Sequence, residues 1–210
     1  MSSSNFLVPA VDEVDGTTGD DAARPDDPDR DIVDLIQARE RTPALRVLMQ
    51  RHGTAVYRYC REQLNDPTLA DDVQQQIFIQ VHRDLTRFVG RSTIRTWLFA
   101  IVRNRVLDAV KSRRRAHAHI EDGDVPDTQD PSADAGEQID EARLHQALAA
   151  CVGELGEHLR TAVLLRYQQG FTFEEMAVIC DEKPGTLQAR VTRALPMIRR
   201  CVEARTGGKL

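Results

Sequence analysis

Two stretches of the chain carry apolar residues at every third or fourth position, the spacing that lines one face of an α-helix. In the first stretch these positions form three groups: Leu45, Leu48, Met49, Val56, Tyr57, Cys60 and Leu64; Val73, Ile77, Phe78, Val81 and Leu85; and Ile94, Trp97, Leu98, Ile101 and Val102. Asn65-Asp66-Pro67 and Gly90 signal breaks between the groups, and Ser92 or Thr93 suits the N-cap of the third. The pattern predicts three helices and no strand.

The second stretch predicts four shorter helices. The apolar positions of the first two are Leu144, Leu148, Cys151, Val152 and Leu155, then Leu159, Ala162, Val163 and Leu165, with a stop at Gln169-Gly170. Thr172-x-x-Glu175 is a capping box for a short third helix through Cys180. Pro184 suits the first position of a fourth, expected from Gly185 to about Ala194, where Pro196 should kink or stop it. Two short helices and a tight turn between Gly170 and Leu195 are typical of a helix-turn-helix.

Two polar segments interrupt this pattern. Residues 1–31 and 121–142 are rich in Asp, Gly, Pro and Ser, and they contain too few large apolar residues to offset the entropy of folding. We therefore predict an all-α protein with two small helical domains, at 32–118 and 142–205, joined by a flexible acidic linker at 119–141. An acidic disordered tail at 1–31 and a short one at 206–210 complete the predicted organisation.

Charge follows the same division. Residues 41–120 carry 15 basic and 6 acidic side chains, whereas residues 121–142 carry none and 9. A basic folded domain indicates a polyanionic partner, of which nucleic acid is the natural candidate. The acidic segments fit a solubilising role better than DNA mimicry. The basic run from Lys111 to Arg115 fits phosphate neutralisation and a solvated helix end equally well.

Several other classes of function lack support in the sequence. Cys60, Cys151, Cys180 and Cys201 are far apart without a C-x-x-C pair, so we expect four reduced core thiols and no metal site. A nucleophile and base constellation is not visible, which argues against an enzyme and leaves no cofactor implied. Because the chain has no run of 18 apolar residues and begins with an acidic segment, we expect a soluble cytoplasmic protein without membrane insertion.

The last predicted helix has an outward face suited to DNA. Leu187, Val191 and Leu195 should face inward, because they lie four residues apart. This leaves five polar side chains outward: Lys183, Thr186, Gln188, Arg190 and Arg193. Gln pairs bidentately with adenine and Arg with guanine, whereas Lys and Thr more often hold phosphates. We expect this face to enter a major groove.

The first stretch also contains an ordered set of residues: Ala70-Asp71-Asp72-Val73, Gln75, Phe78, Arg87-Phe88-x-Gly90-Arg91-Ser92, Arg95-Thr96-Trp97-Leu98-x-x-Ile101-x-Arg103-Asn104 and Asp108. This set resembles region 2 of sigma factors of the extracytoplasmic-function (ECF) type, in the sigma-70 family. The resemblance implies that the chain binds core RNA polymerase, through its beta-prime and beta subunits, and opens the minus-10 promoter element. The residues implied for polymerase are Asp71, Asp72, Gln75 and Phe78, and those implied for minus-10 DNA are Phe88, Arg91, Ser92, Trp97, Arg103 and Asn104.

Structural roles compete with some of these assignments. Trp97 shares a stripe with core positions, which favours packing over base contact. Phe78 fits either core or interface. The Asp72 carboxylate suits a helix N-terminus and a basic partner equally well. The sequence also departs from the family at Gln76 and His82, where Glu and Trp are common, so the resemblance does not define the details of the polymerase contacts.

The second stretch has a matching string: Leu164-Leu165-Arg166-Tyr167, Gly170, Glu174-Glu175-Met176-Ala177, Gly185-Thr186-Leu187, Arg190 and Arg193-Ala194. This string resembles sigma region 4, which reads the minus-35 element, although Gln188-Ala189 replaces the common Lys-Ser. The two resemblances imply an initiation factor whose linker follows the RNA-exit path of polymerase and whose further partner is an anti-sigma factor. The rival hypothesis is a stand-alone helix-turn-helix transcription regulator, which leaves the first domain unexplained.

Overall fold

The computed structural model describes residues 27–118 and 137–207, with side chains at 27–116 and 142–207. Within these ranges the chain forms eight α-helices and no strand, which confirms the all-α prediction. The helices are α1 (Arg30–Gln37), α2 (Arg41–Leu64), α3 (Pro67–Asp84), α4 (Ile94–Ala118), α5 (Glu137–Gly153), α6 (Glu157–Val163), α7 (Phe173–Cys180) and α8 (Pro184–Thr206). A 3-10 turn (Leu85–Arg87) follows α3, and a π-helical turn (Leu164–Gln168) follows α6.

The first four helices form a bundle in which α2, α3 and α4 share an aliphatic core. Asn65 ends α2 in the left-handed conformation (φ 51°), and the Asp66 carboxylate caps α3 by accepting a hydrogen bond from Leu69 N at 3.0 Å. Thr93 Oγ1 accepts a hydrogen bond from Thr96 N at 3.1 Å at the start of α4. Gly90, with φ 75°, supplies the turn before it. Helices therefore end and begin at the residues that predicted the breaks.

The folded region begins before residue 32. Asp29, assigned on composition to the acidic tail, is only 2% exposed and bonds to His52 Nε2 at 3.0 Å and Arg51 Nη1 at 2.9 Å. Burial alone raises the pKa of Asp29, but the hydrogen bonds from His52 and Arg51 outweigh it and hold that pKa below its usual value. Composition missed this contact because its partners lie more than twenty residues away. Residues 1–26 lie outside the described residues.

The last four helices form a second bundle around Leu165, Met176 and Leu187, all fully buried. The predicted capping box is present: Thr172 Oγ1 accepts from Glu175 N, and the Glu175 carboxylate accepts from Thr172 N at 2.8 Å. Asp181, left-handed at φ 53°, ends α7, and Pro184 begins α8. The helix-turn-helix has the predicted local geometry. Of the predicted linker, residues 119–136 lie outside the described residues, and residues 137–141 already belong to α5.

Two predictions for the last helix were wrong: Pro196 does not stop it, and Leu195 does not face the core. Helix α8 continues to Thr206, and Leu195 is 42% exposed. The buried positions beyond Val191 are instead Ala194, Ile198 and Val202. Burial of this longer apolar stripe offsets the hydrogen bond that Pro196 cannot donate. The recognition helix is therefore the first part of a 23-residue helix.

Two of the four cysteines are not reduced thiols, so that prediction was wrong for them. Cys151 on α5 and Cys201 on α8 form a disulfide with Cα atoms 5.8 Å apart. Their proximity arises from packing between helices separated by 50 residues of sequence, which helical periodicity does not encode. Cys60 and Cys180 are buried free thiols as predicted, and burial raises their pKa to about 12 and about 11. None of the described helices is long and apolar enough to cross a membrane.

Candidate nucleic-acid interface

An open groove of about 1150 Å³ lies between α2 and α3 of the first bundle. It brings together three of the four residues implied for polymerase: Asp71, Gln75 and Phe78. Asp71 and Gln75 are exposed, whereas Phe78 is 6% exposed and belongs mainly to the core. Asp72 is exposed on the same helix but does not line the groove.

The groove also contains residues that the sequence reasoning missed. Met49 and Ile79 line it with 45% and 54% of their surface exposed. Gln74 Nε2 donates to Gly53 O at 2.8 Å and so fixes α3 against α2 beneath the groove. Ile79 was detectable, because it is a large apolar residue off the inward stripe of its helix. Exposed apolar groups with a polar rim are typical of a protein-binding surface.

The loop before α4 and the start of that helix contain four residues of the predicted minus-10 set. Phe88 and Trp97 are half-buried and pack edge to face, with ring centroids 5.7 Å apart. Arg91 is exposed, and Ser92 Oγ donates to Thr93 O at 3.3 Å. Trp97 therefore packs against the core while keeping part of its ring accessible, so both interpretations of it remain compatible with its position.

Arg103 and Asn104 lie more than one helical turn beyond Trp97 on α4, and their side chains have different environments. Asn104 is exposed, and its Oδ1 accepts from Arg103 Nη1 at 3.4 Å. The Arg103 side chain is only 16% exposed, and its Nη2 lies 3.8 Å from Glu182 Oε1. Its buried Nε has no hydrogen-bond acceptor among the described residues. Arg103 thus faces the second bundle.

The recognition helix presents four of its five predicted DNA contacts to solvent: Lys183, Thr186, Gln188 and Arg193. Arg190 is the exception. Its side chain is 17% exposed, and its Nη1 and Nη2 atoms contact the Glu182 carboxylate at 2.8 Å and 2.6 Å. Helical geometry predicted an outward Arg190 but could not show that the turn before the helix would provide a carboxylate that pairs with it.

Glu182 is the residue that the sequence reasoning missed. It lies in the tight turn between α7 and α8 and contacts Arg190 of its own bundle and Arg103 of the other. Two arginines assigned to different promoter elements therefore share one carboxylate. The position was read only as part of a turn, because no local pattern identifies a partner on another domain.

Comparisons with known proteins identify the family of this chain. Residues 48–116 match the family model for Sigma-70 region 2, and residues 145–196 match that for Sigma-70 region 4. The ECF RNA polymerase sigma factor SigC of Mycobacterium tuberculosis is 30% identical over 168 residues, which cover 76% of this chain and 84% of that protein. The chain belongs to the sigma-70 family and is of the ECF type. The RNA polymerase sigma-H factor of Pseudomonas aeruginosa is 27% identical over 83% of this sigma factor and 94% of its relative.

Solved structures agree on the fold of this sigma factor. CnrH, solved in complex with the cytosolic domain of CnrY, is 24% identical to this chain, with a TM-score of 0.63. The match covers 85% of this chain and 99% of CnrH. RpoE of Bartonella quintana, solved with the anti-sigma factor NepR, is 22% identical with a TM-score of 0.60 and coverages of 75% and 96%. At these identities the likeness shows the fold alone.

Proposed function

We propose that this sigma factor binds core RNA polymerase, directs it to a promoter with two elements, and promotes opening of the minus-10 DNA. The observation that carries the proposal is the presence, on one chain, of an exposed apolar groove on a region 2 bundle and a polar recognition helix on a region 4 bundle. A stand-alone regulator would need only the second of these surfaces. Sigma factors are initiation factors, so the catalysis belongs to the polymerase.

Core polymerase binding is assigned to the groove between α2 and α3. Met49 and Ile79 supply apolar contact area, and Asp71 and Gln75 supply polar contacts at its edge. Apolar side chains with a satisfied polar rim are the usual composition of a specific interface. The expected partners are the beta-prime and beta subunits. This assignment puts the work of the protein in the cytoplasm, where transcription takes place.

Recognition of the minus-35 element is assigned to the first turns of α8. Gln188 and Arg190 have the side chains that read adenine and guanine edges, and Lys183, Thr186 and Arg193 are suited to phosphates. Leu187 and Val191 are buried beneath them and fix the orientation of the helix. The surrounding domain is proposed to span 142–205, with 119–141 as its linker to a domain at 32–118.

Opening of the minus-10 element is assigned to the loop before α4 and to the exposed side of that helix. Phe88 and Trp97 offer ring surface on which an unstacked base can pack, and Arg91 and Ser92 lie beside them on the loop. Asn104 is exposed further along α4, whereas Arg103 faces the second bundle and would reach the DNA only after the bundles separate. Aromatic and basic groups in this combination are typical of single-stranded DNA binding.

An anti-sigma factor is a further proposed partner. RpoE of Bartonella quintana was solved with the anti-sigma factor NepR, and its fold matches that of this chain. A protein that binds the α2 and α3 groove or the recognition helix would exclude polymerase or DNA by occupying the same surface. The chemistry of that partner would therefore include an apolar face and acidic groups.

In vitro initiation tests the proposed function. Purified protein and core RNA polymerase are incubated with fragmented genomic DNA of the source bacterium, and transcript 5′ ends are sequenced. We expect discrete start sites preceded by a shared pair of motifs, absent when either protein is omitted. Start sites that do not depend on the protein, together with DNA binding by the protein alone, would support the stand-alone regulator instead.

A further inference from the structure

The two bundles of this sigma factor pack directly against each other. Phe99 on α4 and Phe171 before α7 are both fully buried, with ring centroids 5.0 Å apart in an edge-to-face contact. The Arg95 guanidinium lies 4.0 Å from the centroid of the Phe171 ring and donates to Gln169 O. Burial lowers the pKa of Arg95, which is consistent with its enclosed position. Region 2 and region 4 thus share an aromatic contact.

Polar contacts accompany the aromatic one. Gln63 Nε2 donates to Thr161 Oγ1 at 3.1 Å, and Arg160 Nη1 donates to Gln63 O at 3.0 Å. Gln169 Nε2 donates to Ala55 O at 3.4 Å. Gln63, Thr161 and Gln169 are each less than 9% exposed. Buried polar groups that satisfy each other across the interface indicate a defined arrangement of the two bundles.

Glu182 lies at the edge of this interface and occupies two DNA-directed arginines. Its carboxylate oxygens contact the Arg190 guanidinium at 2.8 Å and 2.6 Å, and Oε1 is 3.8 Å from Arg103 Nη2. A carboxylate offers arginine the same paired acceptors that a phosphate or a guanine edge offers. In this arrangement Arg190 is paired with Glu182, and Arg103 is largely buried beside the same carboxylate, so neither arginine is free to make its proposed DNA contact.

The shared carboxylate also sets a geometric limit. On B-form DNA, minus-10 and minus-35 elements about 25 base pairs apart are separated by roughly 85 Å, at about 3.4 Å per base pair. Arg103 and Arg190 contact a single carboxylate, so the surfaces that carry them are adjacent. This arrangement of the bundles cannot read both elements of one promoter at once.

We propose that the described arrangement is an autoinhibited closed form, in which Glu182 acts as an internal substitute for DNA and the Phe99–Phe171 contact holds the bundles together. The proposal rests on the proposed function, since it uses the DNA roles assigned to Arg103 and Arg190. Promoter binding requires the bundles to separate. The apparent DNA affinity of the free protein is then reduced in proportion to the fraction that is open.

Two variants open the interface by different routes. Glu182→Gln keeps the shape of the side chain but removes the charge that pairs with both arginines. Arg95→Met removes the Phe171 and Gln169 contacts and leaves the Glu182 pairs intact, and Arg95 is not one of the proposed DNA contacts. Glu203→Gln is the matched control, because it removes an exposed ion pair with Arg199 on the same helix α8, away from the interface.

The full-length variants are compared by amide hydrogen exchange and by affinity for a mixed-sequence 30-base-pair duplex without polymerase. Glu182→Gln and Arg95→Met are expected to raise exchange around Phe99 and Phe171 and to tighten duplex binding by on the order of three- to tenfold. Glu203→Gln should match wild type in both. Unchanged duplex affinity in both opening variants overturns the closed form, whatever the exchange shows.

An initiation assay with wild-type protein separates this result from the proposed function. If wild-type protein and core polymerase start transcripts while the opening variants bind the duplex no better, only the closed form is rejected. If wild-type protein starts no transcripts, the sigma function is rejected, and tighter duplex binding by the opening variants would still show that the interface masks a DNA-binding surface.

Discussion

The surface assigned to polymerase and the surface assigned to DNA differ in accessibility. Met49 and Ile79 in the groove between α2 and α3 are about half exposed, whereas the Arg103 and Arg190 side chains are 16% and 17% exposed and contact Glu182. Under the proposed assignments, the polymerase surface is accessible in this conformation and two of the DNA contacts are not. The difference suggests an order of events in which polymerase is engaged first and DNA contacts form after the bundles separate.

The largest expected effect comes from a charge placed in the open groove. Ile79→Glu should weaken core polymerase binding by about 100-fold or more, because a buried carboxylate without a partner costs several kcal/mol. Competition with a labelled sigma factor for core polymerase measures the loss. Val178→Glu is the matched control, since Val178 is 58% exposed on α7 outside the groove. Equal competition by the two variants would remove the groove from the polymerase interface.

The disulfide distinguishes the two bundles, since only the second has a cross-link among the described residues. Reduction, or Cys151→Ser, should lower the unfolding free energy of the second bundle by about 2 to 4 kcal/mol, because the link closes a 50-residue loop in the unfolded chain. Denaturant titration with and without reductant measures this change. Cys60 is a free thiol in the first bundle, so Cys60→Ala is the control. The stability of the first bundle should not respond to reductant. A reductant-insensitive second bundle would show that Cys151 and Cys201 are not bonded in solution.

A smaller effect is expected for Arg190, whose guanidinium pairs with Glu182 in this conformation. Arg190→Ala should weaken promoter recognition by about 1 to 3 kcal/mol if Arg190 pairs with a guanine once the protein is open. Arg199→Ala, further along the same helix, is a control that also removes one positive charge. Initiation from promoters with each base substituted in the upstream element shows whether the loss is specific to one position. A uniform loss at all promoters would make Arg190 a phosphate contact.

Acid should affect the stability of the first bundle through Asp29. The pKa of Asp29 is depressed in the folded state, so its contribution to stability is present above the ordinary value near 4 and is lost as pH falls below it. Asp29→Asn should cost about 1 kcal/mol at pH 7 and flatten the acid limb of the stability curve. Asp108→Asn, at an exposed position on α4, is the control. Identical pH profiles for wild type and Asp29→Asn would exclude the ion pair of Asp29 with Arg51.

Local signals in the sequence predicted much of the fold. The Asp66-Pro67 start of α3, the Gly90 turn and the Thr172 and Glu175 capping box all depend on neighbours within a few residues, so they were readable in advance. The exposed positions Lys183, Thr186, Gln188 and Arg193 followed from helical geometry alone. Family resemblance then supplied the order of the two regions.

Tertiary contacts account for the rest. The Cys151–Cys201 bond, the burial of Asp29 and the pairing of Glu182 with two arginines each join residues that periodicity cannot relate. The exposure of Leu195 has a similar cause, because the path of α8 across the bundle places Ala194 and Ile198 inward instead. These features depend on how helices cross, which the spacing of apolar residues within one helix does not specify.

Promoter opening is the most direct measure of the central claim that this chain is an initiation factor. Permanganate oxidation of unpaired thymines is followed on a promoter fragment found by transcript-end sequencing, with core polymerase alone, protein alone and both together. The two together should make thymines in the minus-10 region reactive, and Ile79→Glu should abolish that reactivity. Thymines that stay unreactive with both proteins present, on DNA that the protein binds by itself, would contradict the sigma function.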